Sequence, residues 1–199
     1  MELDEKLSIN KIHEVLSGTS GFTIESSYEF DKGIDHIINL IYDAKVLYEN
    51  GSYSSSFYIS VIVIEEVAKL HMGLYIQYGR NVKKDKLFDH KTKDIIGCGY
   101  TVTMGSRLID AIGVEEIKRI CNEAYSGKLK ERRENAFYCL KKDGKLAIPY
   151  ELYSREDARN VLLFAIESFD DNLVGYTDYS LKRSEETDLI FDEVCMENL

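Results

Sequence analysis

Hydrophobic positions along the chain fall into long runs with helical spacing. Ile34, Ile37, Ile38, Ile41 and Tyr48 recur at three or four residues across 31–49 and make one apolar stripe. Asn50-Gly51 follows, and both residues tolerate the left-handed backbone that ends a helix. The next stretch, 53–78, is ambiguous at first. Phe57 to Ile64 is β-branched and would suit a buried strand. The apolar pattern continues through Ala68, Leu70, Met72, Leu74 and Ile76. A run of roughly 25 residues is too long for an ordinary strand, so it predicts a central helix that is apolar nearly all round.

Further helices are predicted at 87–110, 114–134 and 154–174, the last opened by Ser154 and Glu156-Asp157. The segment 136–149 breaks the pattern, and Asp143-Gly144 marks a turn, so it is the one place for a small β-hairpin. The first 27 and last 20 residues carry no decisive pattern. The expected fold is all-α, a bundle of about five main helices. It forms a single domain with its core at 31–175 and peripheral segments at 1–27 and 180–199.

Composition narrows the class. The chain has 199 residues, 44% of them hydrophobic, and a single proline, Pro149. A chain of this size buries roughly 70% of its unfolded surface, so it needs no staples. Its cysteines, Cys98, Cys121, Cys139 and Cys195, are scattered with no CxxC pair, and reduced thiols are expected. No HExxH, P-loop, GxGxxG or GxSxG motif occurs, so no metal or cofactor is expected. The first ten residues are acidic and lack the apolar segment of a signal peptide. The longest apolar stretch, Phe57 to Ile64, falls far short of the ~20 residues that span a bilayer. A soluble cytoplasmic protein with no membrane partner is expected.

Net charge is −10, which argues against tight non-specific binding to nucleic acid. The charge is uneven, however. Arg80, Lys83, Lys84, Lys86, Lys91 and Lys93 face only Asp85 and Asp89 in their stretch. Lys128, Lys130, Arg132, Arg133, Lys141, Lys142 and Lys145 face only Glu131, Glu134 and Asp143. Each is either a solvated loop or a local anchor for RNA on an otherwise acidic protein.

Three groups of residues have chemistry to offer. Glu65, Glu66 and Lys69 sit in the central apolar helix, where charges are costly unless paired or wet. Either Glu65 and Lys69 form an i, i+4 ion pair that fixes register, or the three groups line a polar cleft. His90 precedes Lys91 and shares a helix face with Lys93. Imidazole moves protons near neutral pH and lysine answers phosphate charge, although a histidine at a helix start can also be simply exposed. The three together predict that the Glu65-Glu66-Lys69 turn lies near His90. Arg132 and Arg133 precede Phe137-Tyr138, which couples phosphate-binding guanidinium to rings that can stack on a base. The alternative is a solvated basic helix end beside core aromatics.

In order, these pieces are a helix ending at Tyr48-Glu49-Asn50-Gly51-Ser52-Tyr53, Glu65-Glu66-x-x-Lys69, His90-Lys91-x-Lys93, and a basic segment leading to Phe137-Tyr138, a turn and Pro149. Taken together they resemble the AbiV family over about Asp31 to Phe169. The resemblance implies an all-helical, usually dimeric HEPN-like bundle. It also implies a role in abortive infection, in which a phage-encoded component triggers shutdown of the host cell. One departure is clear. Many HEPN ribonucleases carry Arg, four to six residues, then His, and here Lys83 and Lys84 occupy that window before His90.

The leading expectation is a metal-independent endoribonuclease that shuts down translation. His90, Lys93, Glu66, Lys69 and Arg133 would form its catalytic centre, and Lys91, Arg132, Tyr138 and Glu65 would hold RNA. The alternatives are a non-catalytic effector that blocks translation by binding a protein or ribonucleoprotein, and an inert helical scaffold. A symmetric homodimer is expected, with the site at or near its interface.

Overall fold

A computed structural model describes residues 5–79, 85–99 and 106–196. Arg80, Lys83 and Lys84 of the first basic stretch lie outside the described residues, as do Tyr100, Val102 and Met104 of the third predicted helix. Among the described residues 77% are helical, in ten α-helices and one 3-10 turn, accompanied by two pairs of short strands. In chain order these are α1 (Glu5–Leu16), β1 (Thr19–Ser20), α2 (Ser27–Glu49), α3 (Tyr53–Gly73), β2 (Gln77–Tyr78) and α4 (His90–Gly99). Then come α5 (Ser106–Ile112), α6 (Val114–Ser126), α7 (Lys128–Asn135), β3 (Leu140–Lys142), β4 (Lys145–Ala147), α8 (Pro149–Leu152), α9 (Arg155–Leu173) and α10 (Asp178–Met196).

The two helices read most directly from the pattern form a hairpin. Ser26 caps α2 by accepting from the Glu29 amide at 3.2 Å, and Asn50 with left-handed Gly51 (φ 75°) ends it. The Ile34–Ile41 stripe and Tyr48 are buried. Central helix α3 packs along α2 and α9 and is crossed by α4. Two glycines set these approaches. A methyl group on Gly33 would lie 2.6 Å from the Leu70 side chain, and one on Gly97 would lie 2.6 Å from the Ile64 backbone oxygen. The Gly97 carbonyl also accepts from Ser168 of α9 at 2.7 Å, which pins α4 between two helices.

Several boundaries differ from the expectation, each for a local reason. The central helix stops at Gly73, and Gln77–Tyr78 instead pair in parallel with Thr19–Ser20. The run 87–110 contains a 3-10 turn at Lys86–Phe88, then α4 and α5. The run 114–134 is two helices, broken at Gly127, whose φ of 84° no helix interior adopts. The hairpin at 136–149 is present as β3–β4 around Asp143-Gly144. A full capping box opens α9, with Ser154 and Asp157 exchanging hydrogen bonds.

The C-terminal segment is less peripheral than its pattern implied. Its helix α10 buries Ile190, Phe191 and Val194 in the main core. Arg107 of α5 ties it down, pairing with Asp188 as well as with Glu167 at 2.5 Å and stacking over Phe191 at 4.5 Å.

Candidate functional site

The most heavily charged buried cluster sits where α4 and α7 meet the middle of α3. Asp89 accepts from the Thr92 amide (3.0 Å) and hydroxyl (2.6 Å), a cap that makes His90 the first residue of α4. His90, Lys93 and Gly97 then recur at i, i+3 and i+7, the face turned to α3. The bend at Gly127 sends α7 back toward the same place, so that Arg133 arrives from a third element.

Glu65 is the hub. Its side chain is 2% exposed, and three cationic or hydrogen-bonding groups converge on it. Arg133 Nη1 pairs with Oε1, while Lys93 Nζ (2.8 Å) and His90 Nδ1 (2.6 Å) reach Oε2. Lys93 and Arg133 are buried, but 40% of the His90 side chain is exposed.

His90 Nδ1 is engaged on its inner side: with a hydrogen it donates to Glu65 Oε2 at 2.6 Å. Without that hydrogen it accepts from Arg133 Nη1 at 2.8 Å. This leaves Nε2 as the ring's remaining nitrogen.

Asp94, one residue past Lys93, is fully buried and neither carboxyl oxygen has a hydrogen-bond partner. Burial and then the charge of Glu65 push it up to about 8, against the pull of Arg133 and Lys93. Near neutral pH it is therefore mostly uncharged. Glu65 is then the buried carboxylate that answers Lys93 and Arg133, and the more exposed Glu134 lies 3.8 Å from Arg133 Nη2.

The remaining predicted residues lie apart from this hub. Glu66 and Lys69 pair with each other at 3.1 Å, and Lys69 lies 4.7 Å over the Phe22 ring. The turn is therefore divided: Glu65 reaches His90, and its expected partner Lys69 belongs to Glu66. Arg132 points away from Arg133. It is held by Glu123 (2.9 Å) and Asp157 (2.5 Å) and lies 4.7 Å over Phe57, a clamp between α6, α7 and α9. Lys91 is exposed, its stem running beside Gly127. Tyr138 is exposed and rests edge-on against Phe137.

The pattern reading missed Asp94. Asp94 was detectable only as an acid four residues after His90 and directly before Ile95-Ile96. Among the described residues no group of three or more His, Cys, Asp or Glu is placed to hold a metal ion, and no helix is long and apolar enough to cross a membrane.

The helical bundle is HEPN-like. The AbiV family model within the HEPN group matches residues 30–169, and the chain belongs to that family. The matched span runs from α2 into α9 and contains every residue of the Glu65 cluster. The comparisons with curated proteins and with solved structures found no match.

Proposed function

We propose that the protein is an abortive-infection effector that cuts RNA at the Glu65–His90 cluster without a metal, once a phage-encoded component triggers it. The observation that carries this reading is the buried carboxylate that orients a half-exposed histidine beside two cations. His90 Nε2 takes the proton of a ribose 2′-hydroxyl. The 2′-oxygen attacks the adjacent phosphorus, the bond to the 5′-oxygen breaks, and an acid returns a proton to that oxygen. Arg133 and Lys93 offset the charge gathered on phosphorus, and exposed Lys91 holds a neighbouring phosphate. With one histidine in each cluster, the second proton transfer falls to another group. A symmetric homodimer that juxtaposes two His90 side chains supplies it.

A second reading is a non-catalytic effector that blocks translation by binding a protein or ribonucleoprotein. It is favoured by the burial of Lys93 and Arg133, which are already committed to Glu65. The two readings part on one variant. Purified protein is incubated with total bacterial RNA in EDTA, with and without phage lysate. Under the nuclease reading His90→Ala lowers cleavage by roughly 10²- to 10⁴-fold with the melting temperature nearly unchanged. A folded His90→Ala protein that cuts RNA, or halts infected cells, as well as the wild type rejects it.

A further inference from the structure

Three aromatic rings run outward from the central helix beside the cluster. The Tyr58 and Phe137 centroids are 4.9 Å apart, and those of Phe137 and Tyr138 are 5.3 Å apart. Phe137 is 57% exposed and Tyr138 64%. The row shares both of its supports with the cluster. Tyr58 stands seven residues before Glu65, nearly two turns, so it lies on the same face of α3 about 10 Å away. Half-buried Ile62 lies between them. Phe137 follows Arg133 by four residues.

The hairpin beyond the rings is basic. Asp143 (φ 50°) and Gly144 (φ 77°) make a tight two-residue turn, and the register sets Lys142 directly opposite Lys145. Like charges facing each other across a strand pair destabilise it. Lys141 adds a third charge, all three lysines are exposed, and none forms an ion pair among the described residues. A polyanion laid along the hairpin removes that repulsion.

We infer that Tyr58, Phe137 and Tyr138 form a base-stacking platform, and the hairpin lysines a phosphate track, for a single-stranded RNA whose chain continues to His90. The position of the cut relative to this platform rests on the nuclease reading. The strand must be single because paired bases offer no free face to a ring. Recognition is tolerant of sequence, since every base has a π-face. At about 3.4 Å per stacked base, 10 Å separates the platform from the cut by about three nucleotides. A two-fold contact centred on the rings would bring two sets of hairpin lysines together, so the dimer proposed at His90 leaves the rings and the hairpin uncovered.

The test is fluorescence anisotropy with a labelled oligouridine of about 12 nucleotides and a blunt RNA duplex of the same length. The titrations use full-length His90→Ala protein, so that the probe stays intact. The single strand should bind at least about tenfold more tightly than the duplex. The double variant Phe137→Ala, Tyr138→Ala should weaken single-strand binding by about 5- to 150-fold for each stacked base lost, without lowering the melting temperature. Tyr138→Phe should keep the affinity, and replacing Lys141, Lys142 and Lys145 by Gln should reduce its salt dependence. Equal binding of strand and duplex, or unchanged binding by the double alanine variant, overturns the proposal. So does a double variant that turns a dimer into a monomer yet binds RNA normally, since the rings would then be an interface between copies. Wild-type protein that binds as described but never cuts keeps the platform and removes the nuclease reading. Cleavage that persists without both rings does the reverse.

Discussion

Glu65 carries a full charge where water does not reach, and such a group is tolerated only when its oxygens are answered. Arg133, Lys93 and His90 answer them from two other helices. Asp94 is the counterpart that is not answered, and it stays mostly neutral instead. That has a measurable consequence. Between 3.8 and about 8 the unfolded chain has released this proton while the folded protein still holds it. Stability therefore falls as pH rises through that window and levels off above it. Asp94→Asn has no proton to lose. Denaturant titrations across the window should show the wild type losing more stability with rising pH than Asp94→Asn. Parallel curves would mean that the carboxyl is already ionised in the folded protein.

Helix α4 decides where His90 sits, and Gly97 decides where α4 sits. The backbone of α3 leaves no room for a methyl group at Gly97. Gly97→Ala should cost about 1–3 kcal/mol of stability through overpacking and should also reduce RNA cleavage by shifting His90 from Glu65. A Gly97→Ala protein with native melting temperature and full cleavage would show slack between the helices and no such coupling. Elements of this kind were only partly legible in the sequence. The stripe of α2, the long apolar run of α3, the Asp143-Gly144 hairpin and the Ser154 start of α9 are local signals, and each has its counterpart in the fold. Gly127 left no such trace, because one glycine within a helical pattern reads as tolerated, and its positive φ is set by packing. The contact of Glu65 with Arg133 spans 68 residues and depends on that bend, so no window along the chain displays it. Periodicity likewise showed a charged turn on α3, but which of Glu65 and Glu66 faces α4 followed only from how the helices cross.

Across the whole molecule, charge is unevenly distributed. The acidic C-terminal helix is held by cations of the body: Glu193 pairs with Lys45 at 2.8 Å, and Asp188 pairs with Arg107. The overall charge of −10 repels RNA from most of the surface. The Glu65 cluster, Lys91 and the hairpin lysines form the favourable region, on the side of α3 that faces α4 and α7. This arrangement suits a protein that engages RNA at one place rather than along its whole surface. The most direct test of the account is the chemistry of the ends left on RNA cut in EDTA by the triggered protein. Attack by a 2′-hydroxyl, with His90 moving the protons, leaves a 2′,3′-cyclic phosphate on one fragment and a 5′-hydroxyl on the other, and both should vanish in His90→Ala. Fragments bearing 3′-hydroxyl and 5′-phosphate ends, or cyclic-phosphate ends that persist in folded His90→Ala protein, would contradict it.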